Sequence, residues 1–463
     1  MTVAGQWVHM VGIAGAGMSG IAHILKEQGF KVTGSDIQSN SIINHLNSLG
    51  IEIFSSHASS HVEEGVDILV ISSAIPNDNI EVITARQKNI PVVKRGEMLA
   101  TLVNKQKGIA IAGAHGKTTT TSMLALILSE AGVEPTFIVG GEFQNTNINA
   151  KLGRSDYFVV EADESDASFL AISPYIGVIT NIEDDHLDYY KSFNNIKNAF
   201  SQFLSGIHTD GLAVLYGDDE CIREISAHLN KRVLYYGQDK KCHYYIDNWQ
   251  PRGIGSSFNI FNQGQKIGEI ELSVPGKHNA LNALAAIIIA LELGVNFIEI
   301  KKAIKKFQGT KRRMEIIGER AGIIIIDDYA HHPTEILATL KAVRSFHNGR
   351  IISVFQPHRY SRTKTLGKEL GEAFVNADIA LFTGVYSAGE EPIPGINGET
   401  VYKAAKEIGC EAIYMEDLLS LSHYLADNIR SNDLVITMGA GDIWKVGIEL
   451  LNIVPENKNK AHS

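Results

Sequence analysis

The sharpest chemical signal in this chain is the run Gly113-Ala-His-Gly-Lys-Thr-Thr-Thr-Thr121. It stands between an apolar segment, Ile109–Ala112, and a helical stretch, Thr118–Ala131, closed by Gly132. Glycines let backbone N–H groups approach phosphate, and a helix N-terminus adds partial positive charge. Lys117 can then reach the outer phosphates of a nucleoside triphosphate, with Thr118 on Mg²⁺. Ile111 occupies the place of the first glycine in the usual phosphate loop. A glycine turn with an incidental lysine is the plainer reading, but G-K-T-T falls where phosphate binding needs it.

Two acidic segments follow. Tyr157–Val160 runs into Glu161-Ala-Asp-Glu-Ser-Asp166, and Ile176–Thr180 runs into Asn181-Ile-Glu-Asp-Asp-His-Leu-Asp188. Carboxylates at the C-terminal ends of parallel strands face the same crevice as a phosphate loop, and hard oxygen donors suit Mg²⁺. Either segment alone reads as a solvated loop; two behind one phosphate loop favour metal binding, with His186 as a second metal or phosphate contact.

A second glycine-rich turn, Gly12-Ile-Ala-Gly-Ala-Gly-Met-Ser-Gly20, holds G-x-G-x-x-G as Gly15, Gly17 and Gly20. It follows a strand and opens a helix, and Asp36 stands beyond the second strand, as in sites that place an acid on a ribose hydroxyl. Any nucleotide diphosphate would satisfy the same N–H groups, so the turn does not specify a nicotinamide cofactor. A purely structural glycine turn is the alternative.

Further on, Asp327-Asp-Tyr-Ala-His-His-Pro-Thr-Glu335 follows a strand and leads into a helix begun by Pro333. Gln356-Pro-His-Arg-Tyr-Ser-Arg362 follows the next strand, and Arg359 with Arg362 can grip a carboxylate. His331, His332 and His358 lack zinc-ligand spacing. Arg312 and Arg313 sit at a presumed joint, either touching phosphate when domains close or forming a solvated pair. Ser387–Gly395 and Gly439–Asp442 look like loops at the same rim.

The elements that must position these residues alternate strand and helix throughout, which predicts α/β architecture with parallel sheets. Strands are expected at Trp7–Val11, Lys31–Thr33, Ile51–Phe54, Asp67–Ile71 and Pro91–Lys94, then near 108–112, 157–160, 176–180, 213–216 and 233–236. A hairpin surrounds Asn262–Gly264, and a last series takes Ile323–Ile326, Ile351–Phe355, Ile379–Phe382 and Leu434–Met438. Polar joints at Asn104–Gly108 and Gln308–Arg313 divide the chain into three domains, residues 1–106, 107–310 and 311–463. The first series reads as a doubly wound, Rossmann-like parallel sheet, the second carries the phosphate loop, and the third is a further α/β series. A polar tail, Glu456–Ser463, ends it.

Composition agrees with that plan. The chain has 463 residues, 44% of them hydrophobic, enough for several cores. A net charge of −10 argues against nucleic-acid or anionic-membrane binding. Cys221, Cys242 and Cys410 form no close pair, so neither a disulfide framework nor a cysteine zinc site is expected. The longest helix-like apolar stretch, Ala283–Leu291, is far short of the ~18–20 residues that span a bilayer. No basic start of a signal peptide precedes Lys26, and a cytoplasmic protein is expected.

The ordered motifs GIAGAGMSGIA, GAHGKTTTT, VVEADESDASF, ITNIEDDHLD, PGKHNALNA, GTKRRME, DDYAHHPTEI and QPHRYSRT resemble the Mur ligases, in particular their alanine-adding branch, over nearly the whole chain. Any one motif is moderately specific; the ordered set is highly specific. Ala14 stands where the family usually has another glycine. The resemblance implies a ligase of peptidoglycan biosynthesis that uses ATP and Mg²⁺ to join L-alanine to the lactyl carboxylate of UDP-N-acetylmuramate through an acyl phosphate. It implies a first domain for the sugar nucleotide, a central ATPase and a C-terminal Rossmann-like domain presenting the amino acid, in a monomer or weak homodimer.

By the same resemblance Gly113, Ala114, His115, Gly116, Lys117, Thr118 and Thr119 hold the phosphates, with Thr118, Glu161 and His186 on metal. Asn279 and Asn282 would read adenine, Arg313 would clamp phosphate, and Asp328 would hold the ATP ribose. Gly15, Ala16, Gly17, Met18, Ser19 and Ser72 would bind the sugar nucleotide, and Tyr329, His331, Arg359 and Arg362 would hold alanine and the muramoyl carboxylate. Some relatives carry a carbamylated lysine in the stretch holding Lys191 and Lys197. Three readings compete: a ligase adding a preformed peptide to the same sugar nucleotide, a nicotinamide oxidoreductase that leaves the phosphate loop unexplained, and a non-catalytic nucleotide switch.

Overall fold

The computed structural model describes residues 4–38, 40–141 and 148–456, so the polar tail lies outside the described residues beyond Glu456. The described chain forms two compact units, one from Met1–Asp247, Asn259–Ile270 and Leu281–Phe307, the other from Asn248–Phe258, Glu271–Ala280 and Gln308–Ser463. The longest segment of the second unit opens at Gln308. Near residue 104, the Asn104 side-chain amide donates to Ala171 O at 3.0 Å and its oxygen accepts from Ser173 N at 2.9 Å.

The first sheet contains β1 (Trp7–Val11), β2 (Lys31–Ser35), β3 (Glu52–Phe54), β4 (Ile68–Ile71) and β5 (Val92–Lys94), in the order β3-β2-β1-β4-β5 and parallel throughout. β1 is buried along its whole length, as expected of a strand covered on both faces. Helices α1 (Ala16–Glu27), α2 (Ser41–Ser48), α3 (Ile80–Gln87) and α4 (Arg95–Val103) connect the strands. Strand order reverses between β1 and β4, and at such a switch point the crevice beyond the strand ends is open to a ligand. Gly12, after β1, and Ser72, after β4, face each other there: a Cβ on Gly12 would come 3.0 Å from Ser72 Cβ.

The central sheet adds β6 (Lys107–Ala112), β7 (Thr136–Ile138), β8 (Ala150–Lys151), β9 (Tyr157–Glu161), β10 (Ile176–Ile179), β11 (Leu212–Tyr216), β12 (Arg232–Gly237), β13 (Tyr244–Arg252), β14 (Gly255–Asn262) and β15 (Gln265–Leu272). Their order is β15-β14-β13-β12-β11-β10-β6-β9-β7-β8, which sets β6 between β10 and β9. Its helices are α5 (Lys117–Glu130), α6 (Leu187–Tyr190), α7 (Phe193–Ser205), α8 (Glu220–Ser226), α9 (Lys277–Glu292) and α10 (Phe297–Lys305). α7, not anticipated above, starts where Ser192 Oγ accepts from Asn195 N and buries Ile196, Ala199, Phe200, Phe203 and Leu204 on one face. The apolar stretch of α9 is core, and no described helix is long and apolar enough to cross a membrane.

The second unit carries β16 (Glu315–Arg320), β17 (Ile323–Asp328), β18 (Ile351–Phe355), β19 (Ile379–Phe382), β20 (Glu411–Tyr414) and β21 (Leu434–Met438), in the order β16-β17-β21-β18-β19-β20. Only the edge strand β16 runs antiparallel to its neighbour. Helices α11 (Pro333–Phe346), α12 (Tyr360–Glu372), α13 (Glu399–Glu407), α14 (Leu418–Asn428) and α15 (Trp444–Ile453) complete it. Each anticipated strand of this series recurs within two residues; β16 and β20, with mixed polar sequences at sheet edges, were not anticipated.

One polar cluster inside the first sheet has a measurable consequence. Buried His9 lies 2.8 Å from Thr33 Oγ1, which accepts from Trp7 Nε1 at 2.9 Å. Beside it, buried Glu81 accepts from Ser35 Oγ at 2.5 Å, and His61 Nδ1 lies 2.7 Å and His57 Nδ1 3.3 Å from its oxygens. Burial alone would raise its carboxyl, but His9, Ser35 and His61 outweigh burial and hold it down to about 2. A carboxyl depressed from 4.5 contributes stability above pH 4.5 that is lost as pH falls from 4.5 toward 2, here about 3 kcal/mol. Urea titrations should therefore show Glu81→Gln less stable by about 3 kcal/mol at pH 7, with the gap shrinking below pH 4.5. A gap independent of pH would refute this account.

Candidate active site

Because β9 and β10 flank β6 in parallel, the loops leaving all three emerge at the same end of the sheet. The β6 loop carries the glycine–lysine–threonine run read above as a phosphate loop. Gly113 has φ +132° and Gly116 φ +82°, both strained for residues with a Cβ. A Cβ on Gly113 would collide with Thr180, and one on Gly116 would fall 2.5 Å from Asn282 Oδ1. The β10 loop braces the turn: Thr180 Oγ1 donates to His115 O at 2.6 Å, and the Asn181 side chain accepts from His115 N at 2.9 Å and donates to His115 O at 3.2 Å. His115 Nε2 lies 3.3 Å from Glu183 Oε2. Thr180, Asn181 and Glu183 stand within quoted segments, yet their bracing role depends on strand adjacency.

Lys117 begins α5 and turns back over the loop, donating to Gly113 O at 2.5 Å, Ala114 O at 3.1 Å and Glu164 Oε1 at 2.8 Å. Burial opposes its charge, but Glu164 and Asp163 more than compensate, so the ammonium stays protonated. Burial pushes the Glu164 carboxyl up to about 7 against the pull of Lys117. Its second oxygen, Oε2, is buried without a hydrogen-bond partner among the described residues. His186, in a left-handed conformation at φ 58°, places Nε2 3.7 Å from Glu164 Oε1 and 3.6 Å from Asp185 Oδ2. Glu164 was read only as part of an acidic run; the structure makes it the partner of Lys117.

Thr118 Oγ1 donates to Glu161 Oε2 at 3.2 Å, and the other Glu161 oxygen accepts from Gly140 N at 2.6 Å. A hydroxyl and a fixed carboxylate side by side at a phosphate loop are hard donors that fit Mg²⁺. Thr119 continues the first turn of α5. Of the lysines considered for carbamylation, Lys197 pairs with Glu224 at 2.5 Å and Lys191 caps α6. Asn282 lies beside Gly116, while Asn279, also on α9, donates its amide to Pro275 O at 2.7 Å.

The other glycine turn belongs to the same unit. Asp36 is buried, and its oxygens accept from Ala14 N and Gln38 N, each at 2.9 Å. The acid thus fixes the turn that it was expected to serve from outside. Gly15 caps α1, whose first turn holds Ala16, Gly17, Met18 and Ser19. Asn149 donates to Ala16 O and to Ser19 Oγ, both at 3.0 Å, tying this turn to the central sheet.

In the second unit the loops after β17, β18, β19 and β21 share one end of their sheet. Asp328, expected at a ribose, accepts from Met314 N at 2.7 Å and Ala330 N at 2.8 Å, and burial pushes its carboxyl up to about 6. Arg312 donates to Asp327 Oδ2 at 3.0 Å and Gly439 O at 2.6 Å, while Arg313 lies 3.6 Å from Glu335. Both guanidinium groups stand 5.1 Å from the Tyr329 ring. His331 packs edge-on against Tyr329 and His358, and His358 stacks on Tyr386. Burial, with His331 and the two arginines nearby, pushes His358 down to about 3, so it stays neutral. Arg359 and Arg362 flank the start of α12, and Ser361 between them is held by Glu390 through bonds of 3.0 Å and 2.6 Å. Tyr386 and Glu390, in or beside the loop read as weak, were not among the expected site residues.

Gly116→Ala places a methyl against Asn282 in a strained conformation. ATP affinity should fall at least about tenfold, the loss of one charge-assisted hydrogen bond or more. Equilibrium binding would show this, and unchanged affinity would refute the loop geometry.

Three family models match the chain: "Mur ligase family, catalytic domain" over residues 7–107, "Mur ligase middle domain" over 111–290, and "Mur ligase, glutamate ligase domain" over 312–441. The chain is 58% identical to a UDP-N-acetylmuramate–L-alanine ligase of Syntrophomonas wolfei, covering 99% of each. It is 47% identical to one of Desulforamulus reducens, covering 97% of this chain and 98% of that one. Among solved structures, a UDP-N-acetylmuramate–alanine ligase from Thermotoga maritima matches with a TM-score of 0.83 at 30% identity, covering 96% of this chain and 98% of that one. A murein peptide ligase from Psychrobacter arcticus matches with a TM-score of 0.73 at 25% identity, over 97% and 98% of the two chains.

Proposed function

The chain belongs to the Mur ligase family of ATP-dependent ligases, and from that premise we propose that it joins L-alanine to the lactyl carboxylate of UDP-N-acetylmuramate in peptidoglycan synthesis. The observation that carries this reading is the presence, in one compact unit, of a diphosphate-type glycine turn at Gly12–Gly20 and a lysine-bearing phosphate loop at Gly113–Thr119. One suits a sugar nucleotide and the other suits ATP. An oxidoreductase has no use for the second, and a nucleotide switch none for the first. The high identity to alanine-adding relatives favours L-alanine over a preformed peptide.

The chemistry follows from leaving groups. A carboxylate resists an amine at neutral pH because oxide is a poor leaving group. The lactyl carboxylate attacks the γ-phosphorus of ATP, the bond to the bridging oxygen breaks, and ADP leaves an acyl phosphate. The alanine amine then attacks the acyl carbon, inorganic phosphate departs, and the amine loses a proton to become the amide. Positioning and charge neutralisation supply most of the acceleration.

In this reading Lys117 exchanges Glu164 for the transferring phosphoryl group, and the backbone of residues 113–119 cradles the phosphates. Thr118 and Glu161 would hold Mg²⁺, which when bound neutralises charge on the phosphate oxygens, and His186 stands near a second such position. Asn279 and Asn282 would meet adenine and Arg313 the phosphates. Asp328, already engaged with Met314 N and Ala330 N, would meet the ribose through its remaining lone pairs. Gly15–Ser19 and Ser72 would receive the sugar nucleotide. Tyr329, His331, Arg359 and Arg362 would hold alanine and the muramoyl carboxylate. Residues 1–106, 107–310 and 311–463 are assigned to sugar nucleotide, ATP and amino acid, and the reaction to the cytoplasm.

ATP-dependent phosphate release with UDP-N-acetylmuramate should require L-alanine and should not occur with a murein tripeptide in its place. Release only with the tripeptide would move the function to peptide recycling. Lys117→Ala should abolish release while leaving UDP-N-acetylmuramate affinity within about twofold, since its charge acts at the other nucleotide. Turnover retained in that variant would overturn the role given to Lys117.

A further inference from the structure

Arg95, the first residue of α4, has no part in the site residues assigned above, yet it stands where the two nucleotide sites of the first unit meet. Its Nη2 donates to Asp163 Oδ2 at 2.8 Å, in the acidic segment beside the phosphate loop. Its Nη1 lies against the other turn: a Cβ built on Gly17 would fall 2.9 Å from Nη1 and 3.3 Å from Cδ. Nη1 makes no protein hydrogen bond among the described residues, and the side chain is largely buried, at 18% exposure.

That placement is unfavourable without an anion. Gly17 belongs to the first turn of α1, whose N-terminus carries partial positive charge, and a cation set against a helix N-terminus is repelled. Asp163 neutralises one side of the guanidinium. The other side faces the first turn of α1, where a diphosphate would dock onto the backbone N–H groups. Arginine suits such a position because its planar fork can serve two anions at once, which a lysine ammonium does less well. Glycine at position 17 leaves the space that the side chain occupies.

We propose that Arg95 is a diphosphate-binding residue, one guanidinium nitrogen held by Asp163 and the other given to the diphosphate of the sugar nucleotide; this rests on the function proposed above. Asp163 aims the group rather than touching the ligand. Through this residue the sugar nucleotide is oriented by the central sheet as well as by its own turn. The lactyl carboxylate is thereby set with respect to the loop that carries Lys117.

The simpler possibility is that the Arg95–Asp163 pair only clamps α4 to the central sheet, as Asn104 does at the other end of the helix. Calorimetric titration of the full chain with UDP-N-acetylmuramate separates the two, using Arg95→Gln, Arg95→Lys and Asp163→Asn. Loss of a charge-assisted phosphate contact should weaken binding about tenfold or more in Arg95→Gln and at least about threefold in Arg95→Lys, with Asp163→Asn changed by less than about threefold. The lysine variant keeps charge and stem, and so carries the test if the glutamine variant does not fold. Wild-type affinity in the arginine variants, or a loss in Asp163→Asn equal to theirs, would overturn the proposal. Failure of the wild-type chain to bind UDP-N-acetylmuramate would overturn the underlying function instead.

Discussion

A lysine ammonium buried in a glycine loop has to be neutralised, and much of the central sheet is arranged around that requirement. Within its own loop Lys117 meets the carbonyl oxygens of Gly113 and Ala114, and the countercharge comes from a neighbouring strand. Glu164 supplies the countercharge because β9 lies directly beside β6. On the other side β10 delivers Thr180 and Asn181, which pin the loop backbone at His115. Burial raises the Glu164 carboxyl while Lys117 pulls it the other way.

The first sheet solves a different problem. A glycine-rich turn has few side chains of its own to fix it, so something else must hold it. Asp36 does this from behind through Ala14 N, and Asn149 from the side through Ala16 O and Ser19 Oγ. Asn149 belongs to the central segment, as do the residues that Asn104 and Arg95 grip. The first sheet and the strands β6 to β12 of the central sheet therefore fall within one compact unit although each sheet has its own topology. For a ligase this is sensible, because the carboxylate to be activated and the phosphate that activates it must meet within bonding distance.

The second unit shows the same economy in its loops. Asp328 and Arg312 do not project freely but bind backbone and the neighbouring strand end, giving the segment after Gln308 a defined path into β16. His331 packs against Tyr329 and His358 against Tyr386, and burial with the neighbouring cations keeps His358 neutral. The result is a neutral aromatic wall beside the two arginines that open α12.

Sequence alone determined what depends on local order. The phosphate loop is legible because glycines, lysine and threonines are contiguous and their flanks read plainly as strand and helix. The buried parallel strands are legible because a strand covered on both faces must be apolar along its length, as β1, β18 and β21 are. Strands at sheet edges were missed where one face stays polar, as in β16, and α7 was missed because its apolar face is spread over thirteen residues rather than concentrated in a run. Tertiary structure alone decided which carboxylate meets Lys117, that Asp36 and Asp328 turn inward to bind backbone, and that Arg95 reaches across 68 positions to Asp163. Those choices depend on strand order, and strand order is set by how all the helices pack on the sheet, which no stretch of neighbouring residues records.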